Sequence, residues 1–104
     1  MFIYDGGVVV HPHVFRSVLG DERSIVEYQV IQTARGAEIL ALGAMEDTGR
    51  IERALAVELG RLGVAAPSVR LVLVRELARQ ATGKLRRFVP LSVPRPSAAV
   101  STPA

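Results

Sequence analysis

The residues best furnished for chemistry lie together, in Ala81-Thr82-Gly83-Lys84-Leu85-Arg86-Arg87. Lys84 is the only lysine among thirteen basic residues, the other twelve being arginine. Between Arg75 and Arg87 five cations face the single carboxylate of Glu76, a local balance of +4 against +3 for the whole chain. The basic character is therefore concentrated around a glycine followed by a lysine. That pairing suits a phosphate or a carboxylate. Glycine adopts backbone conformations closed to other residues and lets a ligand approach. Lysine brings a compact point charge on a flexible stem, which arginine's planar fork does not reproduce. A phosphate-cradling P-loop is absent, because Ala78 stands where its first glycine belongs and Leu85 where its hydroxyl belongs.

Other constellations are weaker. His11 and His13 flank Pro12, but zinc needs three or four ligands at set spacings and the chain has no cysteine. They read as exposed histidines at a helix start, and no metal site is expected. Tyr28 and Phe15 read as core residues rather than base-stacking platforms, since aromatics make up only 5% of the chain. Glu46, Asp47, Glu52 and Glu58 read as a helix cap and a solvated face. No Ser/His/Asp arrangement or catalytic carboxylate pair is evident.

At 104 residues, 49% hydrophobic and 22% charged, the chain has the size and composition of one soluble domain. No apolar run approaches the roughly 20 residues needed to span a bilayer. The N-terminus has Asp5 and two early glycines rather than a basic, then apolar, leader, so no signal peptide is expected. The lack of cysteine fits a cytoplasmic location. A pI of 10.2 invites comparison with nucleic-acid binders, yet the excess charge resides in one segment.

The elements that must position Lys84 follow from patterning. Gly7-Val8-Val9-Val10 predicts a strand, and Pro12 a helix start, with Val14, Phe15, Val18 and Leu19 on one face until Gly20-Asp21. Ile25 to Thr33 alternates, with Val26, Tyr28 and Val30 pointing one way. Arg35-Gly36 turns the chain into Glu38–Leu42, forming a hairpin. Asp47 or Thr48 caps a helix with the stripe Ile51, Leu55, Leu59 and Leu62, ended by Gly63. Val69–Val74 is the last predicted strand, and the glycine-lysine loop follows it. The fold class expected is α+β, a ferredoxin-like βαββαβ antiparallel sheet with two helices packed on one face. Residues 1–91 form the domain, and 92–104, rich in Pro, Ser and Ala, a disordered tail.

With Lys84 so placed, the chain resembles the C-terminal domain of adenylate-forming enzymes, in the phenylacetate–CoA ligase branch. Gly7-Val8-Val9-Val10-His11-Pro12 is similar to the segment entering that domain, and Val26-Glu27-Tyr28-Gln29-Val30 to its first hairpin strand. Glu76 through Arg87 resembles its terminal lysine motif, although the broader family often has proline and threonine where Ala78 and Gln80 stand. The resemblance covers roughly residues 6 to 91. It implies activation of a carboxylic acid, such as an aryl-acetic acid, by Mg-ATP to an acyl-adenylate, followed by acyl transfer to coenzyme A. Lys84 is then the catalytic residue, Thr82 and Gly83 shape the nucleotide- and substrate-binding loop, and Gly7 and Val8 belong to the coenzyme A side. Arg86 or Arg87 would pair with acidic groups on a large N-terminal adenylation domain, in the same or a separate chain. That large domain holds most of the ATP and Mg site and lies outside this sequence, so the chain alone is expected to be inactive. The competing class is a freestanding ferredoxin-like module that binds a small ligand or a protein, or forms a homodimer through sheet edges. A nucleic-acid binder ranks third; neither nucleic acid nor membrane is the expected partner.

Overall fold

Phe2-Ile3-Tyr4 and Val8-Val9-Val10 each alternate an inward and an outward side chain across an Asp5-Gly6-Gly7 turn. In the computed structural model, which describes residues 1–91, they pair antiparallel as β1 (Phe2–Tyr4) and β2 (Val8–Val10). Gly6 and Gly7 take φ of +82° and +77°, left-handed values that a side chain resists, which is why this turn is made of glycine. The ribbon stands apart from the main sheet, although its inner residues Phe2, Tyr4 and Val10 enter the common core.

Helix α1 (His13–Gly20) buries Phe15 and Leu19. The hairpin β3 (Ile25–Thr33) and β4 (Gly36–Gly43) forms the centre of a four-stranded sheet in the order β5-β4-β3-β6. Helix α2 (Thr48–Arg61) starts where the Asp47 carboxylate accepts the Arg50 amide at 3.2 Å, the cap expected from the sequence. It buries Ile51, Leu55 and Leu59 and leads to β5 (Ser68–Leu73). The short β6 (Phe88–Val89) closes the other edge.

The chain is thus a small α+β domain with the ferredoxin-like β-α-β-β-α-β order, and its two helices share one core with one face of the sheet. Three features differ from expectation. The sheet is mixed, not antiparallel: β5 runs parallel to β4 and β6 parallel to β3. The helical crossover α2 returns the chain to the end from which β4 started, which dictates a parallel neighbour. Second, Val8–Val10 pairs with Phe2–Tyr4 instead of joining the sheet, because a tight glycine turn makes that local pairing available. Third, the strand after the lysine loop, β6, was absent from the sequence-based reading.

Smaller corrections share one cause, local irregularity in a periodic pattern. A bulge between Ile25 and Glu27 removes Val26 from the core face and leaves it 79% exposed. Leu62, expected in the α2 stripe, lies past the helix end and is 45% exposed, while Val64 takes the buried place. No helix among the described residues is long and apolar enough to cross a membrane. The tail expected at 92–104 lies outside the described residues.

Candidate functional site

The basic segment is a strap. Tyr28 and Val30 of β3, and Ile39 and Ala41 of β4, point into the helix-covered core, so Glu27, Gln29, Leu40 and Leu42 point to the opposite face. After β5 the chain is held by the Val74 amide on the Ala41 carbonyl at 2.9 Å and then crosses that second face. Leu77 is 8% exposed, and a groove of about 750 Å³ lies between Arg75–Arg79 and Leu40 and Leu42. On reaching β3, Arg79 meets the Glu27 carboxylate at 2.6 Å.

The chain then reverses. The Gly83 amide donates to the Gln80 carbonyl at 2.8 Å, and the Gln80 amide to the Lys84 carbonyl at 2.9 Å, closing a tight turn. Gly83 has φ of +86°, with nothing within 4 Å of the place its Cβ would occupy. Backbone conformation, not crowding, therefore demands glycine here. The returning stem is fastened to the same strand: Gln29 Nε2 donates to the Arg86 carbonyl at 2.8 Å, and the Val30 amide to the Arg87 carbonyl at 2.7 Å. Pairing of Phe88–Val89 with Val30–Ile31 continues this anchoring. Thr82, Gly83 and Lys84 are all exposed on a turn whose two stems share β3 as their base. The Lys84 ammonium has no carboxylate partner among the described residues.

Gly7 and Val8 sit elsewhere. Val8 pairs with Tyr4, whose hydroxyl donates to the Gly36 carbonyl at 2.7 Å, and its methyl lies against Gly63. Gly36 pairs with Thr33, at the opposite end of β3 from Glu27. Six residues of strand correspond to about 20 Å. The two groups of candidate residues therefore occupy opposite ends of the sheet, and the structure does not bring them together. Burial pushes the Tyr4 hydroxyl up to about 12.

Of the remaining candidates, the aromatic pair resolves as packing. Phe15 and Tyr28 are buried in the core. His11 and His13 are exposed, and His11 Nδ1 accepts the His13 amide at 3.1 Å, occupying that ring nitrogen at the start of α1. No cluster of three or more His, Asp or Glu that could hold a metal ion forms among the described residues. Asp47 is a cap and Glu58 pairs with Arg61, but Glu52 is not a solvated charge: its carboxylate accepts the Leu71 amide at 2.8 Å. Because the Ser68 and Val74 amides bond on the β4 side, to the Arg35 and Ala41 carbonyls, that of Leu71 points outward, and Glu52 seals the middle of the exposed β5 edge.

Residues the motif reading missed are Glu27 and Gln29, which hold the turn, and buried Gln32. Gln32 Nε2 donates to the Ile3 carbonyl at 2.8 Å, and its Oε1 accepts the Leu91 amide at 2.9 Å, joining the ribbon to the chain leaving β6. A glutamine at a core-facing position of an otherwise apolar alternation was the available signal. Arg87 lies over the Tyr28 ring at 4.6 Å instead of standing free, whereas Arg86 is exposed. No protein-family model matches the chain, and no curated protein matches it either.

Proposed function

We propose that this chain is the small C-terminal lid of an adenylate-forming enzyme of the phenylacetate–CoA ligase type. The observation that carries the reading is the presentation of Lys84: the sole lysine, exposed, without a carboxylate partner among the described residues, at the tip of a turn tied at both stems to one strand. In the proposed first half-reaction a carboxylate oxygen attacks the α-phosphorus of ATP. The bond to the bridging oxygen breaks, and pyrophosphate leaves with that oxygen and its electron pair. Two anions must approach while charge accumulates on phosphoryl oxygens, and the Lys84 ammonium would donate to both. Magnesium would offset phosphate charge and would be held by the large domain. Coenzyme A would take the acyl group in the second half-reaction.

The separation of Gly7-Val8 from Lys84 by the length of β3 supports this reading. A rigid lid carrying one functional end at each pole can present either by rotating, so the cation withdraws after adenylation. Exposed Arg75 and Arg86 would meet acidic groups of the large domain. The alternative of a module dimerising through its sheet edges is disfavoured by Glu52 on β5 and by the two-residue length of β6. To test the proposal, the purified chain is assayed for acid-dependent ATP–pyrophosphate exchange alone and with a large adenylation domain from a phenylacetate–CoA ligase lacking its own lid. Exchange only in the mixture is expected. Exchange by the chain alone, or none in a mixture in which the two proteins bind, would refute it.

A further inference from the structure

Four arginines of this chain, Arg50, Arg53, Arg61 and Arg79, take carboxylate partners. Two others are handled differently. Arg16, from α1, holds its guanidinium carbon 5.2 Å from the centroid of the Phe88 ring, and Arg87 holds its own 4.6 Å from that of Tyr28. Both distances lie within cation–π range. The two rings are neighbours, with centroids 6.4 Å apart and planes at 74°. Neither arginine has an ion-pair partner among the described residues, and neither donates a side-chain hydrogen bond there.

The rings beneath are fixed. Tyr28 is buried, and Phe88 pairs with Val30 and packs on the core beside Phe2 and Phe15. A guanidinium resting on an aromatic face keeps its N–H edge for a ligand and loses less freedom on binding than one on a free stem. Two such groups on adjoining rings place positive charge with no carboxylate partner among the described residues at the edge between α1 and β6. Planar N–H donors match phosphate oxygens, and charge-assisted hydrogen bonds of this kind are the strong ones.

We propose that Arg16 and Arg87 form an anion site for a diphosphate group, distinct from the tip of the Lys84 turn though close to its root. Two fixed cations on neighbouring rings call for a ligand with more than one anionic centre, and a diphosphate is the smallest such phosphate. The site needs no large domain, so it stands or falls independently of the lid reading.

The test uses the full ¹⁵N-labelled chain at fixed ionic strength and follows arginine Nε–Hε signals while inorganic pyrophosphate, and in a second arm ADP, is added. Saturable shifts at Arg16 and Arg87 are expected, with Arg16→Gln and Arg87→Gln each weakening binding about tenfold, the scale of one charge-assisted hydrogen bond. Arg70→Gln, on the far edge strand, should leave binding unchanged. Response to both ligands assigns the site to nucleotide diphosphates as well as the free anion; response to pyrophosphate alone assigns it to the free anion. Far-UV circular dichroism checks the folding of each variant, and Arg16→Gln alone, altering an exposed helix position, suffices if Arg87→Gln unfolds. Unsaturable shifts spread over all exposed arginines would overturn the proposal. So would equal loss in Arg70→Gln, or binding abolished by Lys84→Ala and untouched by the Arg16 and Arg87 variants.

Discussion

Replacing Gln32 with glutamate changes one NH₂ for one oxygen and little else in volume. Gln32 is 2% exposed, and its amide serves the Leu91 amide on one side and the Ile3 carbonyl on the other. In Gln32→Glu at neutral pH the first bond survives, since Oε1 still accepts. The second is replaced by two oxygen acceptors facing each other near 2.8 Å. Losing the bond costs about 1 kcal/mol and stranding a buried acceptor about 1–3 kcal/mol more, so a total of about 2–4 kcal/mol is expected. A domain of this size has about 5–14 kcal/mol in all, so the variant folds but melts early. Burial beside a carbonyl raises the new carboxyl's folded pKa above its unfolded value. Its neutral form donates to Ile3, so the deficit is small below the ordinary glutamate pKa and grows as pH rises through the folded value. Urea titrations at pH 4 and pH 8, followed by tyrosine fluorescence, should show a midpoint lowered by roughly 1–3 M at pH 8 and by much less at pH 4. A deficit below about 0.5 kcal/mol, or one equal at both pH values, would refute the role assigned to this side chain.

Gly83→Ala forces a β-carbon into a left-handed conformation and should destabilise the lysine turn by about 1–2 kcal/mol while leaving the sheet intact; amide exchange in residues 80–84 should rise without a matching change in α2, and uniform loss of protection would contradict this. Glu52→Ala strips the outward Leu71 amide of its acceptor, which should cost about 1–3 kcal/mol and open the β5 edge. Sedimentation should then reveal concentration-dependent association absent from the parent protein; unchanged stability and mass would dismiss Glu52 as an edge guard. Tyr4 has its pKa raised to about 12 by burial, so its neutral form contributes stability fully present below the unfolded value of 10.0 and lost as pH climbs toward 12. Alkaline titration should show the tyrosinate absorbance that Tyr4→Phe removes appearing near pH 12, and ionisation near pH 10 would contradict burial of the hydroxyl.

Much of the fold was legible because periodicity and punctuation agreed: β3 spans Ile25–Thr33 as expected, and Asp47 caps the helix as its residue type implies. The ribbon was also legible, since Phe2-Ile3-Tyr4 and Val8–Val10 flank Asp5-Gly6-Gly7, which is a hairpin signal. Strand β6 was not, because two residues carry no period, and what makes Phe88–Val89 a strand is its non-local pairing with Val30 and Ile31. The turn around Lys84 could be found from residue types alone, as glycine before a lone lysine is a local statement. What holds that turn, and what fastens the chain after β6, could not. Glu27, Gln29 and Gln32 lie more than fifty residues from Arg79, Arg86 and Leu91 in sequence, and only the sheet makes them neighbours. Glu52 was misread for the same reason: on a helical wheel it faces solvent, and the β5 edge that it serves arrives nineteen residues later.

The central claim, that Lys84 stabilises charge during adenylation, is tested most directly by acid-dependent ATP–pyrophosphate exchange in the enzyme assembled with its large domain. Lys84→Ala should slow exchange by about 10²–10³-fold, the scale of one removed electrostatic contact, and Lys84→Arg nearly as much. Acyl transfer to coenzyme A from preformed acyl-adenylate should change far less. Exchange at the parent rate in Lys84→Ala, or equal loss in both half-reactions, would contradict the account.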